Sequence, residues 1–299
     1  MSLRGFLLLA TIGLLWLSAL GPAAAREEVH EERSLYRNIV VYEDEGLRCM
    51  IFAKRFRTNI RQTCQKIDDP DNLVFNFTKM IAAALYVAPK PKDILIVGLG
   101  GGTLTSAFAK LLPEAEIDAV EVDKAVINVA DHFFGVRGTE RIRIHESDGR
   151  AFVKRAIGKR SYDLVVLDAY DEDYIPEHML TREFLAEIKR IMKPGAVLAA
   201  NTFTNSALYD HESVTYEAVF GPYFNLRTNN RVIIARPDGL PASDEIERNA
   251  ANLETSFRAL GTGKDFLLPL FSTKPDWKRD ARLLTDQYSP SNLLNNQGR

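Results

Sequence analysis

The sequence predicts an α/β chain: a doubly wound, largely parallel sheet preceded by a small β-domain. Three observations predict it. From Asp93 onward, short apolar strands alternate with helical segments, the pattern of crossover units feeding a parallel sheet. The first of those strands runs directly into a glycine-rich turn, Gly98-Leu99-Gly100-Gly101-Gly102. Ahead of Asp93, residues 35–67 are instead rich in β-branched and aromatic residues, with Gly46 and Asn59 as turn signals. The composition suits such a fold, since 46% hydrophobic against 26% charged residues is enough apolar surface for a core. Thirty-eight Lys and Arg against 40 Asp and Glu leave a net charge of -2, so no field of one sign exists to hold a nucleic-acid backbone, and no nucleic-acid partner is expected.

Residues 1–25 read as an export signal. Arg4 precedes an apolar run from Phe6 to Leu20, and Gly21-Pro22-Ala23-Ala24-Ala25 supplies small residues suited to cleavage before Arg26. The run is about 15 residues, short of the ~20 that span a bilayer, so cleavage is expected over a retained anchor, and no stable membrane insertion follows once the signal is removed. The body of the protein is therefore expected in the periplasm or anchored at the envelope. Residues 26–72 form the small N-terminal β-domain. Within it, 47–54 and 58–66 look like two strands of a hairpin centred near Phe56-Arg57, which brings Cys49 and Cys64, the two cysteines, opposite each other. An exported chain allows a disulfide there, and two buried thiols are the alternative. No metal site is expected, because two Cys without nearby His supply too few ligands.

Asp68-Asp69-Pro70-Asp71-Asn72 is a polar turn. The spacing of Phe77, Met80, Ile81, Ala84 and Leu85 then predicts a helix that Pro89 and Pro91 stop. The central unit covers 73–236. Its strands are predicted at 94–97, 117–121, 142–145, 164–168 and 196–201, with helices near 103–112, 124–134, 149–157, 181–192 and 208–220. It closes with two further strands, around Asn225-Leu226-Arg227 and Val232-Ile233-Ile234-Ala235, joined at Asn229-Asn230, a pair suited to a tight hairpin turn. A closing antiparallel hairpin distinguishes a Rossmann-like fold of the S-adenosylmethionine-dependent methyltransferase type from a dinucleotide-binding one. Residues 237–299 are a C-terminal helix and tail: Ile246, Ala250, Leu253, Phe257 and Leu260 form one stripe over 243–260, and the rest is loop-rich.

Strand, glycine-rich turn and helix together make a site for close approach of a ligand to the backbone, with unpaired N–H groups at the helix start. Gly98, Gly100 and Gly102 are the candidate cofactor-binding glycines. Thr103 at the last position of the motif favours an S-adenosyl group over NAD. Glu121 ends the next strand about twenty residues on, where a carboxylate can accept both hydroxyls of a ribose. Asp148-Gly149 follows the third strand; Asp148 can receive an adenine amino group, cap the helix at 149–157, or do both. Asp123 reads as the cap of the helix beginning at Lys124. Asp168 ends the apolar strand Leu164-Val165-Val166-Leu167, at the sheet edge where such folds hold ligands. With Asp171 three residues later, it can anchor a cationic amine and take its proton.

These residues, in this order, resemble the spermidine synthase family of polyamine aminopropyltransferases. The resemblance runs from the glycine loop and Glu121 through Asp148-Gly149 and Asp168-Ala169-Tyr170-Asp171 to Ile175-Pro176 and Leu180-Thr181-Arg182-Glu183-Phe184, and the small β-domain is similar to the family's amino-terminal part. Together with the export signal, it implies an exported spermidine-synthase-like transferase in polyamine biosynthesis. Its co-substrate would be an S-adenosyl donor, decarboxylated S-adenosylmethionine or S-adenosylmethionine, its acceptor a small-molecule amine, and a homodimer is compatible with it. Glu121 would hold the ribose, Asp148 the adenine, and Asp168 and Asp171 the attacking amine, while Gln62 loosely matches a family glutamine. Two departures stand out. The family loop GGGDGG carries an Asp where this chain has Gly101, and the family's aromatic-His-Glu-Met stretch corresponds to Phe77-Thr78-Lys79-Met80. Loss of that Asp removes the repulsion that excludes the carboxylate of intact S-adenosylmethionine. Methyl transfer, or nucleoside-thioether binding by an exported protein without turnover, are accordingly the alternatives.

Overall fold

The computed structural model describes residues 26–53, 61–170 and 175–297. The segment read as an export signal and the hairpin tip at Phe56-Arg57 lie outside them. An antiparallel sheet of order β1-β2-β3-β4 is built from β1 (Glu27–Arg33), β2 (Asn38–Asp44), β3 (Leu47–Ala53) and β4 (Arg61–Lys66). The sequence reading lacked β1, and the reason is physical. It is an edge strand, largely exposed, whose Glu27, Glu28, Glu31 and Glu32 carry the charge that keeps an open edge from pairing further. Between β2 and β3, Glu45 (φ 50°) and Gly46 (φ 77°) form a two-residue loop with both residues in the left-handed region, as a type I′ turn requires. The run Ile39-Val40-Val41-Tyr42 lacks alternation because both faces of β2 are covered. Ile39 and Val41 pack with Met50 on a helix of the main domain, and Val40 and Tyr42 pack with Ile51, Cys49 and Cys64. Cys49 pairs directly with Cys64 across β3 and β4, with a Cα–Cα separation of 4.1 Å, and the two are joined as a disulfide.

The helix expected before Pro89 is two short ones, α1 (Asn76–Ala82) and α2 (Ala84–Val87). The turn tightens at Ala83, whose carbonyl accepts from the Tyr86 N–H three residues on. The units that follow are β5 (Asp93–Val97), α3 (Thr103–Leu111), β6 (Glu116–Glu121), α4 (Lys124–Phe134), β7 (Ile142–Glu146), α5 (Gly149–Ala156), β8 (Tyr162–Leu167), α6 (Arg182–Arg190), β9 (Met192–Thr202), α7 (Leu208–Phe220), β10 (Tyr223–Arg227) and β11 (Arg231–Ala235). Strand β9 begins at Met192, which pairs with Tyr162, so α6 stops short of the 181–192 expected.

The second sheet has the order β10-β11-β9-β8-β5-β6-β7. It is parallel from β7 to β9; β11 then runs antiparallel to β9, and β10 antiparallel to β11. The closing hairpin is thus the expected one. Its loop, however, is three residues, Thr228 to Asn230, and neither Asn229 nor Asn230 takes a positive φ. Parallel strands read as continuous apolar runs because helices cover both faces. In β5, Ile94 and Ile96 join the core under α2 and α8 (Ser243–Ala259), while Leu95 and Val97 join the one under α5 and α6. The C-terminal part adds α9 (Lys264–Leu267) and α10 (Ser291–Asn295). Among the described residues no helix is long and apolar enough to cross a membrane.

Candidate active site

The direction of strand winding reverses between β5 and β8, and the carboxyl ends of these strands open into a cleft of about 1020 Å³. Such a switch point is where open parallel sheets hold ligands. Gln62, Gly98, Gly100, Glu121, Asp148, Gly149 and Asp168 all line this cleft. Gly102 does not, and Asp171 lies outside the described residues.

The glycine loop is only partly about a ligand. Gly98 has φ 101°, and a Cβ there would sit 2.1 Å from the carbonyl oxygen of Asp168, so the glycine lets the end of β5 pass the end of β8. Gly102, at φ 72°, precedes α3, and a Cβ would lie 2.6 Å from Val136 Cγ1. It faces Val136 and is not among the residues lining the cleft. At Gly101 the N–H donates to Thr63 Oγ1 at 2.9 Å, and a Cβ would meet Thr63 Cγ2 at 2.4 Å and Phe134 at 3.2 Å. Thr63, from β4 of the small sheet, fills the space that a side chain would take. Of the substituted pair, Thr78 lines the cleft and donates to the Phe75 carbonyl at 2.7 Å. Lys79 is not among the residues lining it, and burial together with Lys66 lowers its pKa.

Glu121 sits at the end of β6. Its Oε2 accepts from the Leu99 N–H at 3.2 Å and its Oε1 from the Asp123 N–H at 3.1 Å. Burial raises its pKa, against the pull of those two N–H groups. A carboxylate has about four lone-pair sites, so both oxygens keep capacity for hydroxyl donors. Asp148 serves two partners: Oδ1 caps α5 by accepting from Ala151 N–H at 2.8 Å, and Oδ2 lies 2.9 Å from His178 Nε2. Burial opposes its ionisation, but the Ala151 amide and His178 outweigh it and hold the carboxyl below the usual carboxylate range. Asp123 caps α4 through Ala125 N–H at 3.0 Å, as expected.

Asp168 follows β8, its N–H donating to Val97 carbonyl oxygen at 2.8 Å. Burial pushes its carboxyl up to about 7, and one hydrogen bond, from Asn201 Nδ2 at 3.0 Å, opposes the rise. Beside it, Tyr170 and Phe203 stand with ring centroids 6.0 Å apart, both lining the cleft. Beyond them the wall is neutral and polar: Thr204, Asn205, Asn229, Asn230, Asn295 and Asn296. Sequence reasoning missed Thr63, His178, Asn201, Phe203 and the asparagine wall. Only Asn201 was signalled in advance, because it ends a parallel strand at the same sheet edge as Asp168.

A model of the spermine/spermidine synthase domain matches residues 74–232. A polyamine aminopropyltransferase of Vibrio vulnificus is 41% identical over 272 residues, 89% of this chain and 91% of that protein. Two solved structures share the fold. A probable spermidine synthase from Corynebacterium glutamicum superposes with a TM-score of 0.65 at 17% identity, over 85% of this chain and 98% of that one. A spermidine synthase in complex with the transition-state analogue AdoDATO superposes with a TM-score of 0.61 at 19% identity, over 84% of this chain and 85% of that one.

Proposed function

The chain belongs to the spermine/spermidine synthase family, and on that premise we propose that it is a transferase moving an aminopropyl group from an S-adenosyl donor to a small amine of the polyamine type. The observation that carries this reading is Asp168, a carboxyl raised to about 7 at the sheet's switch point, in one cleft with Glu121 and Asp148. The residues present suit an adenosyl group. Glu121 is free to accept two ribose hydroxyls, Asp148 can accept from an adenine amino group in place of His178, and Gly100 lines the cleft, where a Cβ would come within 3.0 Å of Thr63 Oγ1.

When bound, the donor supplies a carbon beside a sulfonium sulfur that accepts the amine nitrogen as the sulfur leaves with the bonding electron pair. Everything else is the work of this chain. Asp168 takes the proton that the nitrogen sheds. Raising its pKa from 3.8 to about 7 narrows the mismatch with an alkylammonium of about 10.4 by about 3 pH units, or about 4 kcal/mol of proton-transfer cost. Asn201 occupies Oδ1 and leaves Oδ2 to the amine. Tyr170 and Phe203 flank the alkyl chain, and Asp171 is the second amine ligand in this reading. Gln62 and Gly149 contribute cleft surface. Alignment of nitrogen and carbon supplies most of the rate.

Product analysis tests this directly. Incubation with decarboxylated S-adenosylmethionine and a panel of linear amines should give the aminopropylated amine and methylthioadenosine. Methyl-bearing product from intact S-adenosylmethionine would instead favour the second reading, methyl transfer, which Gly101 supports because no carboxylate stands at that loop position. Adenosyl binding with neither product would favour a binding protein. Export to the periplasm or envelope is part of the proposal, supported by Arg4, the apolar run to Leu20, Ala23-Ala24-Ala25 and the Cys49–Cys64 pair. A mature chain beginning at Arg26 on amino-terminal sequencing is the expected result.

A further inference from the structure

Among the described residues, 284–297 make no named strand and no long helix, yet they are tied to residues 175–182 and to Ala207, next to the cleft. Asn292 grips Ile175 through its main chain: the Ile175 N–H donates to Asn292 Oδ1 at 2.9 Å, and Asn292 Nδ2 donates to the Ile175 carbonyl at 3.0 Å. Ser289 Oγ donates to the Glu177 carbonyl at 2.8 Å, and the Arg182 N–H donates to the Leu284 carbonyl at 2.8 Å. The Ala207 N–H donates to the Gln297 carbonyl at 3.0 Å. These are the bonds that loop backbone needs and no sheet supplies.

The apolar contacts agree. Leu284 and Leu294 are buried in a small cluster with Ile175, Leu180 and Leu208, and Tyr170 and Phe203 pack against that same cluster. The two aromatic walls beside Asp168 therefore pack against a cluster that two tail leucines help to form. Asn295, next to Leu294, lines the cleft itself.

We propose that residues 284–297 are a working part of the acceptor site: Leu294 positions Tyr170 and Phe203, Asn295 forms the far wall, and the segment sets affinity for the amine while leaving the adenosyl end alone. This rests on the aminopropyl-transfer reading above. Among the described residues, Glu121 and the glycine loop take part in none of these tail hydrogen bonds, so a disturbance at Leu294 or Asn295 should be read only by the acceptor. A cation introduced at Asn295 should repel an ammonium held in the same cleft.

The test is initial-rate kinetics with decarboxylated S-adenosylmethionine and 1,4-diaminobutane, alongside calorimetry with methylthioadenosine, on wild type, Leu294→Ala, Leu294→Met and Asn295→Lys. Leu294→Ala and Asn295→Lys should each raise KM for the diamine at least fivefold, with kcat within threefold and methylthioadenosine affinity within twofold of wild type; Leu294→Met should restore the wild-type KM. A general loss of fold would weaken both ligands together. The inference is overturned if KM for the diamine is unchanged in both variants, or if methylthioadenosine affinity falls in step with it. Should Leu294→Ala not fold, Asn295→Lys, at a partly exposed position, decides alone. A wild-type chain that binds methylthioadenosine but transfers nothing to the diamine overturns the aminopropyl reading, and this inference with it.

Discussion

Replacing Asp168 by Asn should lower activity and raise stability at alkaline pH, and the two effects have one cause. Asp168 titrates at about 7 in the folded protein against 3.8 in an open chain, because burial penalises its charge more than the Asn201 hydrogen bond favours it. The folded state therefore binds this proton more tightly than the unfolded chain does. That contribution to stability is complete below pH 3.8 and lost as pH rises through about 7. At roughly 1.4 kcal/mol per pH unit, the interval amounts to about 4 kcal/mol. Asn keeps the shape and can still accept from Asn201, but it carries no ionisation cost. Urea denaturation at about pH 5.5 and about pH 8.5 should show the variant gaining about 2 kcal/mol on wild type between the two, since the rest of the interval lies below the lower pH. Turnover should move the opposite way. The base must be deprotonated, so wild-type rate should rise with pH and level off above about 7, and Asn should cost about 10²–10⁴-fold on the plateau. Affinity for methylthioadenosine should stay near wild type, because Glu121 and Asp148 are untouched. Equal turnover in variant and wild type would refute the proposed role, and a stability difference that does not change with pH would refute the burial argument.

Glu121→Gln should preserve the fold, because an amide oxygen can still accept from Leu99 or Asp123, but it should weaken methylthioadenosine in calorimetry by the loss of charge-assisted bonds worth about 1.5–3 kcal/mol each. Unchanged affinity would take Glu121 out of the site. Gly101→Asp should not recreate the family loop; with Thr63 Cγ2 at 2.4 Å from the new Cβ, it should destabilise by about 1–3 kcal/mol, read as a lower melting temperature. A variant as stable as wild type would show that Thr63 moves aside freely. Non-reducing peptide maps of the native protein should recover Cys49 joined to Cys64, and Cys49→Ala with Cys64→Ala should lose about 3 kcal/mol for a loop of 15 residues. Two free thiols in the native protein would dispose of that expectation.

Local chemistry that repeats along the chain was legible in the sequence alone. Apolar runs covered on both faces marked the parallel strands, and Glu121 and Asp168 were legible as candidates because each closes such a run, which in a parallel sheet puts a carboxylate at the ligand edge. The opposed cysteines were legible because a hairpin has a fixed register. Strand β1 was not, since an exposed edge strand is charged on purpose and carries no apolar period. The fold was needed to see what three of the loop glycines face: Gly98 makes room for the backbone of Asp168, Gly102 lies against Val136, and Gly101 yields its space to Thr63, about 38 residues earlier in the chain. It alone put Asn201 on Asp168 and His178 on Asp148, and brought a tail without periodicity against Ile175, Tyr170 and Phe203. Such contacts join residues far apart in sequence through single hydrogen bonds and a few buried methyl groups. They leave no repeating pattern along the chain, and so become readable only once the sheet has fixed which loops meet.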